Sequence, residues 1–157
     1  MKKWILTIAI FVFATVIWQA ISIYHGIEAK LHSRLDHAAE KAKREYHLKK
    51  VLDVSYYHGT NSYDVVKAVN QKGQPIYVWI PNGKGKPFHK RVNQGWSKGK
   101  VMQYVQNKLH PRKVISVRLG AEESLPVWEV TYLDQNGRYS FYYLRFDNGE
   151  WVKNIHL

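Results

Sequence analysis

The sequence predicts an α+β protein, with an N-terminal transmembrane helix followed by two small α-β-β-β units, each a helix packed on an antiparallel sheet. Three observations lead to this prediction. Residues 4–24 are uncharged and almost wholly apolar, two turns of similar chemistry lie 64 residues apart, and a helix-like segment precedes each turn. We therefore expect an anchor with a short cytoplasmic N-terminus at 1–25, a first unit at 26–92 and a second unit at 93–157.

The apolar stretch at residues 4–24 has the length of a membrane anchor. About 20 apolar residues in a helix match the roughly 30 Å of bilayer hydrocarbon. A cleaved signal peptide is the alternative, because Lys2 and Lys3 form a basic start and Ala20-Ile21-Ser22 resembles a cleavage pattern. We favour the anchor, since the apolar stretch exceeds the roughly 7 to 15 residues typical of a signal peptide.

The orientation of this anchor is predicted from the length of the domain that follows it rather than from the flanking charges. Basic residues after the stretch outnumber the two lysines before it, which by counting alone would place the C-terminal part inside the cell. Long domains are translocated largely regardless of such charges, however. We expect a single-pass protein of the cell membrane, with a cytoplasmic N-terminus and an extracellular C-terminal domain.

Two turns organise the rest of the chain. Asn70-Gln71-Lys72-Gly73 and Asp134-Gln135-Asn136-Gly137 each begin with Asn or Asp and end with Gly, a pattern that suits hairpins requiring a positive φ. Alternating apolar runs flank each turn and predict paired strands. The predicted strands cover residues 50–57, 63–69 and 75–80 in the first unit, and 112–119, 127–133 and 139–146 in the second.

A helix is predicted before the strands of each unit. In the second unit, Ser97 can cap a helix that Pro111 ends, with Val101, Val105 and Leu109 on its apolar side. In the first unit, small and apolar residues recur at helical spacing on one face. These residues are Leu31, Leu35, Ala38, Ala39, Ala42 and Tyr46.

Strand alternation predicts which hairpin faces are buried. In the second hairpin we expect a structural aromatic face packed on the helix, and an opposite face that meets solvent or a partner. The first hairpin is apolar on both faces, so we expect its sheet to pack against the second unit or another protein. The expected core face holds Trp128, Val130, Tyr132, Tyr139, Phe141 and Tyr143, and the opposite face holds Glu129, Thr131, Ser140 and Tyr142.

No pattern indicates an enzyme, a cofactor or a metal site. The chain has no cysteine, which excludes disulfides, thiol catalysis and thiolate metal sites without indicating a compartment. The eight histidines never recur at i, i+4. Glu122-Glu123 is interpreted as a polar turn within a loop at residues 120–126, and Gly83-Lys84-Gly85-Lys86 lacks the spacing of a phosphate-binding loop.

Charge is the remaining signal, with a formal net charge of +12. A basic domain beside a membrane attracts anions, which outside a cell are lipid headgroups or anionic wall polymers and inside are acidic lipids or nucleic acid. A solvated surface that only maintains solubility is the alternative. We expect no nucleic-acid partner, because no RRM, KH or helix-turn-helix pattern accompanies the charge.

Several segments together resemble the TseB (YpmB) family of Gram-positive bacteria. They are Tyr77-Val78-Trp79-Ile80-Pro81, the run Trp128-Glu129-Val130-Thr131-Tyr132-Leu133-Asp134, Gly137-x-Tyr139-Ser140, and the Ala-rich helix at residues 37–42. They occur in this order behind the apolar N-terminal segment, so the resemblance covers nearly the whole chain. It implies two PepSY-like or cystatin-like units outside the membrane and no catalytic residues.

The resemblance also implies a function. We expect a non-enzymatic, membrane-anchored regulator of cell-wall elongation that contacts a penicillin-binding transpeptidase or another component of the peptidoglycan elongation machinery. Two alternatives stay open, namely a PepSY-type inhibitor of an extracellular peptidase and a tethered binder of anionic polymers. The candidate contact residues combine expected exposure with aromatic or cationic character. They are Trp96, Lys98, Lys100, Tyr142, Arg145 and Trp151.

Overall fold

The computed structural model describes the backbone of residues 2–157 and the side chains of residues 4, 12–19, 22 and 31–157. Two helices and eight strands follow one another along this part of the chain. The first half comprises α1 (Lys2–Glu45), β1 (Lys50–His58), β2 (Ser62–Val69), β3 (Pro75–Pro81) and β4 (Phe88–Arg91). After a short 3-10 turn (Val92–Gln94) come α2 (Lys98–Leu109), β5 (Lys113–Glu122), β6 (Leu125–Leu133), β7 (Tyr139–Arg145) and β8 (Trp151–His156).

By backbone contacts the chain divides into two compact units, Met1–His37 and Ala38–Leu157. The first unit is helical and contains the segment predicted as the anchor. Within the described part of the chain, no helix combines the length and the hydropathy needed to cross a membrane. Most side chains of the predicted anchor lie outside the described residues, so the anchor stays a prediction.

The first sheet has the strand order β1-β2-β3-β4, with every pair antiparallel. One of its faces packs on the end of α1, where Ala38 and Ala42 are buried against it. Small side chains at these two positions let the helix approach the sheet closely. The buried sheet residues in this cluster are Val66, Ala68, Ile76, Val78 and Ile80.

The second sheet repeats the pattern with the order β5-β6-β7-β8, again antiparallel throughout. Helix α2 begins as predicted, because the Ser97 side chain accepts a hydrogen bond from the Lys100 N–H (3.2 Å). Val101 and Val105 of α2 are fully buried in a core with the second sheet. This core also contains Tyr57, Tyr63, Val65 and Trp79 of the first sheet.

The two sheets therefore share one core, which confirms that the second apolar face of the first sheet packs against the second half of the chain. The Trp79 indole N–H donates a 2.8 Å hydrogen bond to the Gly120 carbonyl. The Gly120 backbone lies so close to Tyr57 that a Cβ atom there would come within 2.3 Å of the Tyr57 ring. Residues 38–157 thus form one compact body.

The predicted register of both hairpins is wrong by one residue. Gly73 and Gly137 have the expected positive φ, 76° and 79°. Each turn contains five residues rather than four, because it extends to Gln74 in the first hairpin and to Arg138 in the second. The Gln74 N–H donates to the Asn70 side chain, and the Arg138 N–H donates to the Asp134 side chain (both 2.9 Å). One added residue reverses the faces of the returning strand.

The correct faces follow from the observed pairs. Trp128 pairs with Leu144, Val130 with Tyr142, and Tyr132 with Ser140. We call this the core face of the second sheet. The prediction that Tyr139, Phe141 and Tyr143 lie on this face was wrong. They pair with Leu133, Thr131 and Glu129, respectively, on the opposite face.

Two further expectations are corrected. Each sheet has four strands rather than three, because β4 and β8 complete them. Strand β4 is only four residues long, and a register shift interrupts the alternation of β8 beside β7, so neither carried a clear period-two pattern. Glu122 does not lie in a loop, since β5 continues to it and a two-residue turn, Glu123-Ser124, leads directly into β6.

Candidate functional surfaces

Trp96 is held in place by the loop that joins β7 to β8. Its N–H donates to the Phe146 carbonyl (2.7 Å), and its carbonyl accepts from the Trp128 indole (3.0 Å). Gly149 packs against the ring, where a Cβ atom would lie 2.3 Å from the indole. The ring is half-buried, so one part remains accessible from outside.

Helix α2 extends the Trp96 surface through residues spaced four apart. Lys100 Nζ lies 4.2 Å from the centre of the Trp96 ring, and the Tyr104 ring stands edge-on to Trp96 with 5.3 Å between centroids. Lys108 Nζ donates to the Tyr104 hydroxyl (2.8 Å). With Gln103 and Asn107 these side chains line one shallow groove, which we call the α2 strip: Trp96, Lys100, Gln103, Tyr104, Asn107 and Lys108.

The six predicted contact residues are only partly brought together. Trp96 and Lys100 lie in the α2 strip, and Lys98 is exposed in the first turn of the same helix. Sequence reasoning missed Tyr104 and Lys108, although the i, i+4 spacing from Trp96 through Lys100 could have identified them.

The other three predicted residues have different settings. Tyr142 was expected to be exposed, and this is wrong: its side chain is buried because it pairs with Val130 on the core face. Burial raises the pKa of the Tyr142 hydroxyl, with Tyr104 adding to the effect. Arg145 is half-buried and paired to Asp147 through two contacts of 3.0 and 2.8 Å, whereas Trp151 is 56% exposed.

A buried carboxylate connects the two sheets. Glu122 accepts hydrogen bonds from the Tyr57 hydroxyl (2.9 Å), the Thr60 hydroxyl (2.6 Å) and Lys153 Nζ (2.6 Å). Burial by itself raises the pKa of Glu122, but the hydrogen bonds from Lys153, Thr60 and Tyr57 outweigh it and hold the pKa below its ordinary value. Burial and the bond to Glu122 raise the pKa of Tyr57.

A second buried carboxylate lies on the same side of the second sheet. Glu129 is paired with Arg118 Nη2 (2.6 Å) and accepts a bond from the Tyr143 hydroxyl (2.9 Å). Lys153 Nζ stands 4.4 Å from the centre of the Tyr143 ring, between the two carboxylates. Both acids are thus paired with cations; Glu122 bonds groups from both sheets, whereas the partners of Glu129 lie within the second sheet.

Beyond these polar groups, the same side of the second sheet is apolar and uncovered. Tyr139, Ile155 and Leu157 are 52%, 40% and 76% exposed, and Phe141 is half-buried. Phe141 pairs with Ile155, and Leu157 donates its N–H to the Tyr139 carbonyl (2.9 Å), so the four side chains are neighbours on one face. We call them the open face.

The described residues do not assemble a metal centre. No three His, Asp or Glu side chains within that set lie close enough together to hold a metal ion. A cleft of about 380 Å³ between the two sheets includes Asp53, Lys67, Tyr77 and Arg118 in its lining.

Comparison with known proteins gives concordant results. A family model described as "Cell wall elongation regulator TseB-like domain" matches residues 37–81. The chain is 35% identical over 157 residues to the "Probable cell wall elongation regulator TseB" of Bacillus subtilis (strain 168), covering 98% of each chain. The solved structure of the "YpmB protein from Bacillus subtilis" superposes with a TM-score of 0.73 at 36% identity, covering 78% of this chain and 96% of that one.

Proposed function

The chain belongs to the TseB family of cell wall elongation regulators, and from this premise we propose that it regulates peptidoglycan elongation from the outer side of the cell membrane, by contact with a penicillin-binding transpeptidase. The observation that carries the proposal is 35% identity to the relative named for this role, over 98% of both chains. Identity spread over the whole length, rather than over one motif, favours a shared role as well as a shared fold.

A contact mechanism without catalysis suits the described residues. Glu122 and Glu129 are paired with cations and joined to hydroxyl groups, so neither of these two is available as a general base. The feature of the domain that suits binding a partner is an exposed apolar surface. The open face is apolar, lies on a rigid sheet and is uncovered by α2, which packs on the core face.

We assign the transpeptidase contact to the open face. Aromatic and branched apolar side chains on a pre-formed surface are typical of the centre of a protein interface. Phe141 and Ile155 are its middle pair, with Tyr139 and Leu157 beside them. A regulator using this face needs its C-terminal domain on the same side of the membrane as the transpeptidase, which agrees with the predicted orientation.

Site-specific photocrosslinking in living cells tests the contact. A crosslinker at Ile155 should recover a penicillin-binding transpeptidase, whereas one at Lys72, an exposed turn residue of the first sheet, should not. The double substitution Tyr139→Ser/Leu157→Ser, with the crosslinker kept at Ile155, should abolish recovery without altering the midpoint of thermal unfolding, because both side chains are more than half exposed. Equal recovery from Ile155 and Lys72, or full recovery with the double variant, would contradict the assignment.

Topology is tested separately. A C-terminally tagged chain in intact protoplasts should be digested by added protease, since the domain is proposed to face outward. Protection until the cells are lysed would place the domain in the cytoplasm, and the transpeptidase contact would then be excluded.

A further inference from the structure

The basic charge of the chain is concentrated in one part of the sequence. Residues 65–121 contain twelve Lys or Arg and no Asp or Glu, although the whole chain has twelve acidic residues. This acid-free segment includes all of α2. The α2 strip therefore lies within a segment that contains basic residues and no carboxylate. Such a segment attracts polyanions.

The acids nearest to the strip along the β7–β8 loop are already engaged. Gly149 contacts Trp96, and its loop contains Asp147 and Glu150. Asp147 is paired with Arg145, and Glu150 lies 3.5 Å from Arg145 Nη1. Lys100 and Lys108 are instead positioned by aromatic groups and keep N–H donors for a ligand.

The strip combines three kinds of group. The two lysine positions are about 12 Å apart along the helix axis, because they are eight residues apart. The half-buried Trp96 and Tyr104 alternate with the two lysines along the strip and offer apolar ring surface, and the Gln103 and Asn107 amides can both donate and accept hydrogen bonds. A ligand that matches all three has anionic groups, C–H surfaces and hydroxyls in repetition.

We propose that the α2 strip binds a polyol-phosphate polymer, with phosphates on Lys100 and Lys108, hydroxyls on Gln103 and Asn107, and the carbon backbone against Trp96 and Tyr104. Lysine favours phosphate as a point charge, whereas a planar carboxylate is matched best by the arginine fork, which the strip lacks. Because Lys100 and Lys108 already contact aromatic side chains, less side-chain entropy is lost when a ligand binds.

The ring geometry argues against single-stranded nucleic acid as the occupant. Successive bases stack on ring faces aligned along a strand. Trp96 and Tyr104 instead meet at 72°, and Lys100 stands over the Trp96 ring. The strip also lies apart from the open face, on the helix that packs against the core face, so the inference does not depend on the transpeptidase contact.

The test is binding of purified full-length chain, in neutral detergent at 0.15 M salt, to poly(glycerol phosphate). Lys100→Gln/Lys108→Gln should weaken binding about tenfold, since it removes the two charges that contact phosphate in the proposed site. Lys84→Gln/Lys86→Gln is the matched control, because it removes the same charge from exposed positions outside the strip. It should change the dissociation constant less than about threefold.

A second variant separates a built site from a general basic surface. Gln103→Ala/Asn107→Ala leaves the charge unchanged, and should still weaken binding. Equal losses from the two lysine pairs, or no loss from the amide pair, would overturn the proposal in favour of unspecific charge attraction. Equal or tighter binding of polygalacturonate or of a (dT)20 oligonucleotide would overturn the choice of phosphate polymer, and undetectable binding at this salt would overturn the site.

Discussion

At the residue scale, Glu122 shows how a polar side chain can join two sheets. Its carboxylate accepts hydrogen bonds from Tyr57 and Thr60 of the β1–β2 hairpin. It also accepts one from Lys153 of β8. Removing one partner of such a cluster leaves the others buried without their bonds, and this is costlier than losing an exposed ion pair. Lys153 is about one-third exposed, so water moderates the cost.

We predict that Glu122→Gln destabilises the domain by about 2 kcal/mol at pH 7, because a neutral amide pairs poorly with Lys153. The folded-state pKa of Glu122 lies below its unfolded value. Its contribution is therefore present above the unfolded pKa and lost as pH falls through the folded pKa. Urea unfolding at pH 7 and at successively lower pH should show the variant and the wild type converging in acid.

The neighbouring Glu123→Gln is the control for this prediction. Glu123 is exposed in the β5–β6 turn, so its substitution should leave the stability at pH 7 within about 0.5 kcal/mol of wild type. If the two variants lost equal stability, or if the loss in Glu122→Gln persisted unchanged in acid, the proposed role of the Glu122 charge would be wrong.

At the element scale, the hairpin turns differ in how well their residues suit their backbone. Gly73 and Gly137 supply the positive φ of the two five-residue turns. The β5–β6 turn instead places Glu123 and Ser124 at φ values of 49° and 70°. A two-residue turn with both central φ values positive favours Asn-Gly, so this connection is strained.

We predict that Glu123→Asn/Ser124→Gly stabilises the domain by about 1 kcal/mol and raises the thermal midpoint by about 3 °C, because both new residues tolerate positive φ. Differential scanning calorimetry measures the shift. Gly73→Ala provides the opposite case, since a Cβ atom there meets nothing within 4 Å and the cost is purely one of backbone conformation. A lower midpoint for the turn variant would show that the strain assignment is incorrect.

At the scale of the whole molecule, the shared core makes residues 38–157 a single cooperative body. The first sheet alone would expose Tyr57, Tyr63, Val65 and Trp79 to water. Gly120 lies at the contact, where the Trp79 indole binds its carbonyl and the Tyr57 ring covers its Cα. Perturbing this point should therefore affect both sheets together.

We predict that Gly120→Ala destabilises the domain by about 2 to 3 kcal/mol, because its methyl group must displace the Tyr57 ring. Native-state hydrogen exchange should show equal loss of protection in β2 and in β6. Gly99→Ala is the matched control, since nothing lies within 4 Å of a Cβ atom there. Loss of protection in one sheet with the other unchanged would mean that the sheets unfold independently.

Local chemistry was sufficient to predict much of this fold. Asn or Asp with Gly three residues later identified both long hairpin turns, and Ser97 identified the start of α2. The two apolar faces of the first hairpin predicted its packing on the second half. Each of these inferences depends on neighbours a few residues apart, where turn and cap preferences operate. The resemblance to the family, confirmed by comparison over the whole chain, also came from local sequence segments.

Tertiary structure decided the register and the surfaces. One extra residue in the turn buries Tyr142 and turns Phe141 outward, and a sequence cannot show this because strand alternation fits either register until the turn length is known. The role of Glu122 in joining the sheets depends on hydrogen bonds from Tyr57 and Thr60, which are more than 60 residues away along the chain. The sequence by itself determined α2, six of the eight strands and the family, whereas long-range packing determined which side chains are left to meet a partner.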